Sequence, residues 1–586
     1  MRALIEEVHG QVKALTGLDL APQDWAATPN RDLGDVAIPC FKLSKALGKA
    51  PPLLAQELAA KWISKPDGLV AKVVATGPYL NVFAKPIAAF EFLKAEQKRD
   101  PKRFGGSKVG EGKTMCIDFS SPNVAKEIGL HHLRSTAIGN ALSKIFALHG
   151  YKVARINYLG DWGTSFGKLI EAYKTEAREL GGGAAVEAKL RAEGLPFMLD
   201  LYVRYNQAEK ENAALSDAAK AAFQKLEAGD AEYRKIWQLF RDVSVEEFKK
   251  LYKRLGVDFD HFDGESLYES RLDAAVKEVT DKIGTRISDG ALICELPGHK
   301  VPVLLKKDDG ASLYITRDIV AAEDRWDRFK YDVSLYTVAI QQKLHFQQLF
   351  DILKLLGKPF AARCEHVSFG MLSFGSKTMK SREGNMIFLK DALDEGKKKA
   401  AEIIRDKNPE LANADEVAEM VGMGAIVFFD LSQHRNHDVK FEWEKALSFE
   451  GDTSPFIQYT HARCNSLLAK GEAHLASLLS APGVGPASGQ AELDALFGEL
   501  AVRGLVGEIF SLYTAAERAL NERDPSQIAT ACLNVAKGFS HLYHKVHFLK
   551  ETSPARLRAL LDLTILTRDT LKHGLGLLGV RAPEEM

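Results

Sequence analysis

From Met115 to Gly150 the chain reads MCIDFSSPNVAKEIGLHHLRSTAIGNALSKIFALHG, and this stretch restricts the fold more than any other. The apolar and small residues Met115 to Phe119 predict a short buried parallel strand. From His132 onward Leu133, Ile138, Leu142, Ile145 and Phe146 recur at helical spacing, and Gly150 supplies the stop. Between them lies a polar turn with Ser120, Ser121, Asn123, Lys126, His131, His132, Arg134 and Ser135. A loop that feeds a helix N-terminus presents free backbone N–H groups, the positive end of the helix dipole and, here, cationic side chains, all of which favour a phosphate. The same residues also suit an ordinary solvated turn of an α/β domain, and by themselves they do not choose between the two.

The run SPNVAK followed by HLRST resembles the first signature of the class I arginyl-tRNA synthetases, in which the ATP-binding HIGH box opens the first helix of a Rossmann domain. The family's PxHxGH is replaced by Glu127, Ile128, Gly129, Leu130, His131 and His132. Gly129 thus stands where that family has its first histidine, and His131 where it has glycine. The expectation is that His131 replaces the phosphate contact that glycine at 129 cannot make.

A chain of 586 residues is too long for a single core and calls for three or four domains. Lys plus Arg equals Asp plus Glu at 78 each, so bulk charge does not select a nucleic-acid partner and only a local basic surface can. The six cysteines are scattered without a CxxC pair, which argues against disulfides and structural zinc and fits a reducing, cytoplasmic setting. The N-terminus lacks the pattern of a secretory signal and no apolar run reaches membrane length, so no membrane association is expected.

Residues 1–107 read as a small α/β domain in which helical patterns (Met1 to Leu15, Pro51 to Ile63) alternate with strand-like pieces such as Val73 to Phe83, ending in a lysine-rich linker from Lys94 to Lys108. GDVAIPCFKLSKALGKAPPLLAQELAAKW and GPYLNV resemble the N-terminal domain of the same family, which grips the elbow of the tRNA. Residues 108–391 form the expected Rossmann catalytic domain. It continues through the strand Val153 to Tyr158 into NYLGDWGTSFGKLIEAY, whose Gly160, Gly163 and Gly167 suggest a tight loop into a helix. An Ala-, Glu- and Lys-rich segment around 181–230 reads as a helical insertion. Val301 to Leu305 with Asp308, Asp309 and Gly310 carries a hairpin signal. Tyr314 and Asp318, four apart, share a helix face and can jointly hold one planar cation. SLYTVAI then predicts a buried strand and QQKLHFQQLFDILKLLG an amphipathic helix.

In HVSFGMLSFGSKTMKSREGNMIFLK a glycine-rich, lysine-bearing loop sits between apolar pieces, in a form suited to close over a polyphosphate, and it resembles the second class I signature, KMSKS. Residues 392–450 read as a helical connector and 451–586 as a helical bundle with a Pro/Gly/Ser loop at 481–490. GDTSPFIQYTHARCNSLLAK and the terminal GLGLLGVRAPEEM resemble the family's anticodon-binding domain. Lys537, His541, His544, Lys545, His547, Lys550, Arg556, Arg558, Arg568 and Lys572, with Tyr543 and Phe548 interleaved, suggest a basic surface able to hold phosphates and stack a base.

Taken together, the resemblance implies a multidomain α/β and all-α protein: an N-terminal tRNA-elbow domain, a Rossmann-type catalytic domain with a helical insertion, and a C-terminal anticodon-binding bundle. It implies a monomeric arginine–tRNA ligase that uses ATP and Mg²⁺, L-arginine and tRNA(Arg), with no protein-held metal. Mapped residue by residue, it places His132, Lys126, Lys380 and Arg382 in catalysis, and His131, Ser135, Gly370 and Met371 at ATP. Ser121, Asn123, Glu265, Tyr314, Asp318 and Gln342 fall at arginine, and Asn81, Tyr459, Lys545 and Met586 at tRNA. A second reading is a paralogue that keeps the scaffold and tRNA binding while the altered HIGH box weakens amino-acid activation.

Overall fold

The computed structural model describes all residues except 1, 21–23, 26–27, 29–32, 308–313, 375–386 and 481–488. Near the N-terminus the strands Val36–Pro39, Val70–Thr76 and Tyr79–Ala84 form an antiparallel sheet in which Tyr79–Ala84 is central. The single strand-like piece expected from Val73 to Phe83 is therefore a hairpin: Gly77, at φ +55°, turns the chain between two strands. The helices Arg2–Thr16, Phe41–Leu47 and Pro51–Ala60 accompany this sheet.

The lysine-rich stretch read as a linker begins inside a helix, Pro86–Arg99. The reason lies on its apolar face, where Phe90 and Phe92 meet Phe497 and Phe510 of the C-terminal helices at ring separations of 4.9 and 6.0 Å. Lys94 pairs with Asp562 at 3.0 Å, so even the charged face is tied to that bundle.

The centre of the molecule is a five-stranded, all-parallel sheet in the spatial order Cys364–Phe369, Val333–Ala339, Thr114–Asp118, Lys152–Leu159, His261–Gly264. From Thr114–Asp118 the chain builds outward in one direction through Lys152–Leu159 and His261–Gly264. It then returns to the other side of its starting strand for Val333–Ala339 and Cys364–Phe369. The order reverses between Thr114–Asp118 and Val333–Ala339, which pair in register from Val333 with Met115 to Tyr336 with Asp118. Beyond the carboxyl ends of strands at such a reversal lies the crevice where open α/β sheets hold ligands. The predicted helix runs His132–Leu148 and packs tightly on the strand below: a β-carbon on Gly139 would come within 2.2 Å of the Phe119 ring.

The insertion consists of the helices Gly183–Glu193, Leu195–Glu211 and Ala214–Glu227, with Gly167 seated so close to Ala219 that a β-carbon would stand 2.0 Å from its carbonyl oxygen. From Leu389 onward the chain is largely helical, with the strand Val439–Phe441 pairing in parallel with Leu372–Phe374. The expected hairpin turn at 308–310 and most of the loop at 481–490 lie outside the described residues. Among the described residues no helix is long and apolar enough to cross a membrane, and all six cysteines are free thiols.

Candidate functional site

At the carboxyl end of Thr114–Asp118 the backbone departs from ordinary geometry. Ser120, Ser121 and Ala125 all adopt left-handed conformations, with φ of +73°, +51° and +63°. Such conformations cost about 1–3 kcal/mol each in non-glycine residues and persist only where the surroundings impose them. Here the surroundings are polar and specific. Ser120 N–H donates to Ser135 Oγ at 2.9 Å, Ser121 N–H to Asn157 Oδ1 at 3.2 Å, and Ser121 Oγ to Asp118 Oδ1 at 3.0 Å. Asp118 is in turn held by Arg325 at 2.7 Å, a pair buried under the loop. The sequence yields the helix behind this loop but not its floor: Asp118, Asn157, Arg325 and Tyr252, whose hydroxyl meets Ser120 Oγ at 2.8 Å, look like unremarkable members of separate strands and helices.

His132 is the first residue of the helix. Its Nδ1 lies 2.9 Å from the Ser120 carbonyl oxygen, which fixes the tautomer with the proton on Nδ1 and leaves Nε2 without a partner among the described residues. Burial, and then the neighbouring His131, hold its pKa down at about 4, so the free protein carries it neutral. The His131 ring stands 4.1 Å from that of His132, and although the residue reaches solvent, partial desolvation of the ring lowers its pKa as well.

Ser135, expected at the nucleotide, is buried. Its hydroxyl accepts from Ser120 and donates to the Thr337 carbonyl at 2.7 Å, so it ties the loop to the neighbouring strand. Gly370 and Met371 follow Cys364–Phe369. A β-carbon on Gly370 would meet the His437 carbonyl at 2.6 Å, while the Met371 side chain is exposed. Lys126 is exposed on the loop. Lys380 and Arg382 lie outside the described residues.

A second group of expected residues converges on the outer half of the same edge. Asn123 bridges to Gly160, whose missing β-carbon would otherwise sit 2.1 Å from Asn123 Oδ1. The next residue, Asp161, is fully buried. Its carboxylate takes Ser266 N–H and Oγ, each at 2.9 Å, and thereby fixes the turn that carries Glu265. Glu265 is largely buried, with Arg317 Nε 3.9 Å away. Desolvation drives its pKa up to about 7; Arg317 opposes the rise, while Asp318 adds to it.

Asp318 comes from the helix Tyr314–Phe329 and accepts from His345 Nε2 at 2.6 Å through Oδ2, leaving Oδ1 without a partner among the described residues. His345, which as a lone histidine on an amphipathic helix reads as structural, is therefore part of the site. Tyr158 also faces these acids: its hydroxyl is buried without a hydrogen bond, and burial, then Asp318 and Glu265, raise its pKa strongly. Tyr314 and Gln342 are exposed at the ends of their elements. The result is two imidazoles at a helix start on one side and a carboxylate pair, one member of it protonatable near neutrality, on the other. It suits a polyanion beside an organic cation. No cluster of three metal-ligating side chains occurs among the described residues.

The residues expected at tRNA lie elsewhere. Asn81 is buried, its amide donating to Thr76 within the N-terminal sheet, while Tyr79 of the same strand is exposed. On the C-terminal bundle Arg463 stacks over both Tyr459 and Tyr543, at 4.7 and 5.1 Å from the ring centroids. The terminal residues are clamped alongside by Gln458 to the Arg581 carbonyl and His461 to the Pro583 carbonyl, and Met586 packs, partly buried, against the core. Lys545 is exposed. The expected basic surface is smaller than its sequence suggests, because Lys537, Arg556, Arg558, Arg568 and Lys572 are paired with acids.

Comparison with known proteins bears on the whole chain. Family models described as "Arginyl tRNA synthetase N terminal domain", "tRNA synthetases class I (R), catalytic domain" and "DALR anticodon binding domain" match residues 2–84, 97–443 and 457–586. An arginine–tRNA ligase of Clostridioides difficile is 39% identical over 560 residues, covering 95% of this chain and 94% of that protein. One of Exiguobacterium sibiricum is 40% identical over 561 residues, with coverage of 95% and 94%. Among solved structures, the arginyl-tRNA synthetase of Thermus thermophilus superposes with a TM-score of 0.79 at 24% identity over the full length of both chains. That of Plasmodium falciparum gives 0.76 at 21% identity, covering 100% of this chain and 99% of that one. These two likenesses speak to the fold alone.

Proposed function

The chain belongs to the class I arginyl-tRNA synthetase family and is an arginine–tRNA ligase, and from that premise we propose how its residues divide the work. In the first step an oxygen of the arginine carboxylate attacks the α-phosphorus of ATP and the bond to pyrophosphate breaks. In the second a ribose hydroxyl of the terminal adenosine of tRNA(Arg) attacks the carbonyl of arginyl-adenylate and AMP leaves. Neither step needs a side-chain nucleophile. The demand is for placed donors and cations around phosphates that gain charge as pyrophosphate departs.

His132 and His131 at the helix N-terminus, with Lys126, Lys380 and Arg382, are assigned to the triphosphate, and Gly370 and Met371 to the adenosine. Ser135 acts through the loop it holds. Mg²⁺ would enter with ATP as a substrate complex and offset the charge of the phosphates. Asp318 and Glu265 take the two cationic ends of arginine, with Tyr314, Gln342, Ser121 and Asn123 closing around it. The observation that carries this reading is the convergence of Asp318 and Glu265 on the sheet edge whose other half begins the His132 helix. The hairpin bearing Asn81 is assigned to the tRNA elbow, and Tyr459, Lys545 and Met586 to the anticodon arm. A monomer working in the cytoplasm fits these assignments.

Exchange of labelled pyrophosphate into ATP, with arginine and with or without tRNA, tests the reading. A ligase exchanges label and depends on tRNA for it; a paralogue that only binds tRNA exchanges none. His132→Ala is expected to slow the exchange about 100-fold, the scale of losing one placed donor in an active site. His132 Nε2, without a partner among the described residues, takes up a proton as the triphosphate arrives and then donates to it. An unchanged rate would remove His132 from the triphosphate.

The raised pKa of Glu265 gives the arginine site a pH dependence. Below pH 7 the free protein carries Glu265 protonated, whereas the cationic substrate binds the carboxylate, so binding at low pH must expel a proton. The KM for arginine is therefore expected to fall as pH rises from 5.5 to 7, by up to about tenfold per unit, and to level off above. Glu265→Gln should flatten that profile; a KM that stays level across the range in the unaltered protein would contradict the role of Glu265.

A further inference from the structure

Gly129 and His131 behave as one unit in space. A β-carbon built on Gly129 would stand 2.5 Å from Cε1 and 2.6 Å from Nδ1 of the His131 imidazole. The first atom of any side chain at 129 would therefore clash with the ring that residue 131 folds back over it. The backbone at 129 is tied in place by its pairing with residues 387–389: Gly129 bridges to Phe388, Leu130 N–H donates to the Ile387 carbonyl at 2.9 Å, and Leu389 N–H to the Ile128 carbonyl at 2.8 Å. The His131 ring makes no hydrogen bond among the described residues, is exposed to solvent, and stands 4.1 Å from the His132 ring at the start of the helix.

We propose that the glycine and histidine of this signature have exchanged places without displacing the imidazole, so that His131 delivers to the triphosphate, from the space above Gly129, the contact that a histidine at 129 would make. This rests on the ligase reading for the identity of the anion, but its geometry is independent of catalysis. Two consequences follow. Glycine at 129 is required by the ring of residue 131 and not by the turn, since Gly129 is not among the glycines with positive φ. And the two positions must be energetically coupled, as contacting residues are.

ATP binding to the full chain, followed by calorimetry, reads this directly, with circular dichroism to verify folding of each variant. His131→Ala, which only removes atoms, is expected to weaken ATP at least tenfold with arginine affinity unmoved. Gly129→Ala should weaken ATP by a similar factor in the native background, by evicting the ring, yet by less than twofold when His131 is already alanine. The double exchange Gly129→His with His131→Gly should return ATP affinity to within about threefold of the native chain, as expected of coupled contacting residues. Native ATP affinity in His131→Ala, or a double exchange no better than the product of its single variants, would overturn the proposal. A native chain that binds ATP in this coupled way but exchanges no pyrophosphate would instead overturn the ligase reading and leave the exchange of places standing.

Discussion

Asparagine in place of Asp318 is expected to raise the KM for arginine by two to three orders of magnitude while the KM for ATP stays within about threefold. The size follows from what the substitution removes. A guanidinium is charged at every accessible pH and planar, so it leaves water for a crevice only where a carboxylate meets it with both oxygens or with one oxygen and a neighbouring acceptor. Taking away one partner of such a desolvated pair costs about 3–5 kcal/mol, which is 10²- to 10³-fold or somewhat more in affinity. Asp318 is already set for such a pairing, because His345 at 2.6 Å orients the carboxylate through Oδ2 and Oδ1 is left over. The shape of the side chain barely changes on going to asparagine, so the loss reads charge and not packing. Replacing His345 with glutamine keeps the carboxylate and loses only its orientation, and a smaller rise in KM, about tenfold, is expected there, one hydrogen bond to a charged group being lost. Steady-state exchange kinetics on the two variants check both figures; an arginine KM untouched by Asp318→Asn would exclude this carboxylate from the pocket.

Why the acid was legible and its histidine was not is a matter of distance along the chain. Tyr314 and Asp318 announce themselves by a spacing of four on one helix, the strand Met115 to Phe119 by an apolar and small-residue run and the helix from His132 by a period of 3.6, all patterns that depend on neighbours alone. His345 meets Asp318 across 27 residues and Asp161 meets Ser266 across 105. Such pairs arise when strands and helices far apart in the chain are brought together by the fold, and no local pattern encodes them. Ser135 shows the reverse error. Its position one turn into the helix at the nucleotide loop is right, but its hydroxyl is used up between Ser120 and Thr337, a demand created by the unusual backbone at Ser120 that the sequence does not display. The basic C-terminal stretch fails for a similar reason: Arg558 and Lys572 look free in the sequence until Glu472 and Glu584 arrive from other elements. Only the resemblance carried by long motifs, each a record of many such pairings at once, reached the family as a whole.

Arg325→Met is expected to be strongly damaging although it lies away from the substrates. Arg325 is 1% exposed, its Nη2 donating at 2.7 Å to an Asp118 whose side chain is 8% exposed, and its guanidinium lies between the rings of Tyr158 and Tyr336 at 5.2 and 5.3 Å. Methionine fills much of that volume, so packing is largely kept. What remains is a carboxylate buried at the end of the central strand without its cation, for which a cost of about 3–5 kcal/mol is expected. In a domain of this size that lowers the thermal midpoint by roughly 10 °C, at about 2–4 °C per kcal/mol. Adding Asp118→Leu removes the stranded charge and should recover most of the stability, since a buried ion pair is often no better than an apolar pair of similar volume. It should not recover arginine binding. Asp118 Oδ1 also accepts from Ser121 Oγ, holding a residue at φ +51° in the loop that faces the substrate, and leucine offers no acceptor. The double variant is thus expected to melt within a few degrees of the native protein and yet to require at least about tenfold more arginine, a bond to a charged acceptor being worth roughly 1.5–3 kcal/mol. Thermal melts and exchange kinetics on the single and double variants separate the two effects. If stability and arginine KM recover together, the loop does not depend on Asp118, and its left-handed serines must be held by Asn157 and Ser135 alone.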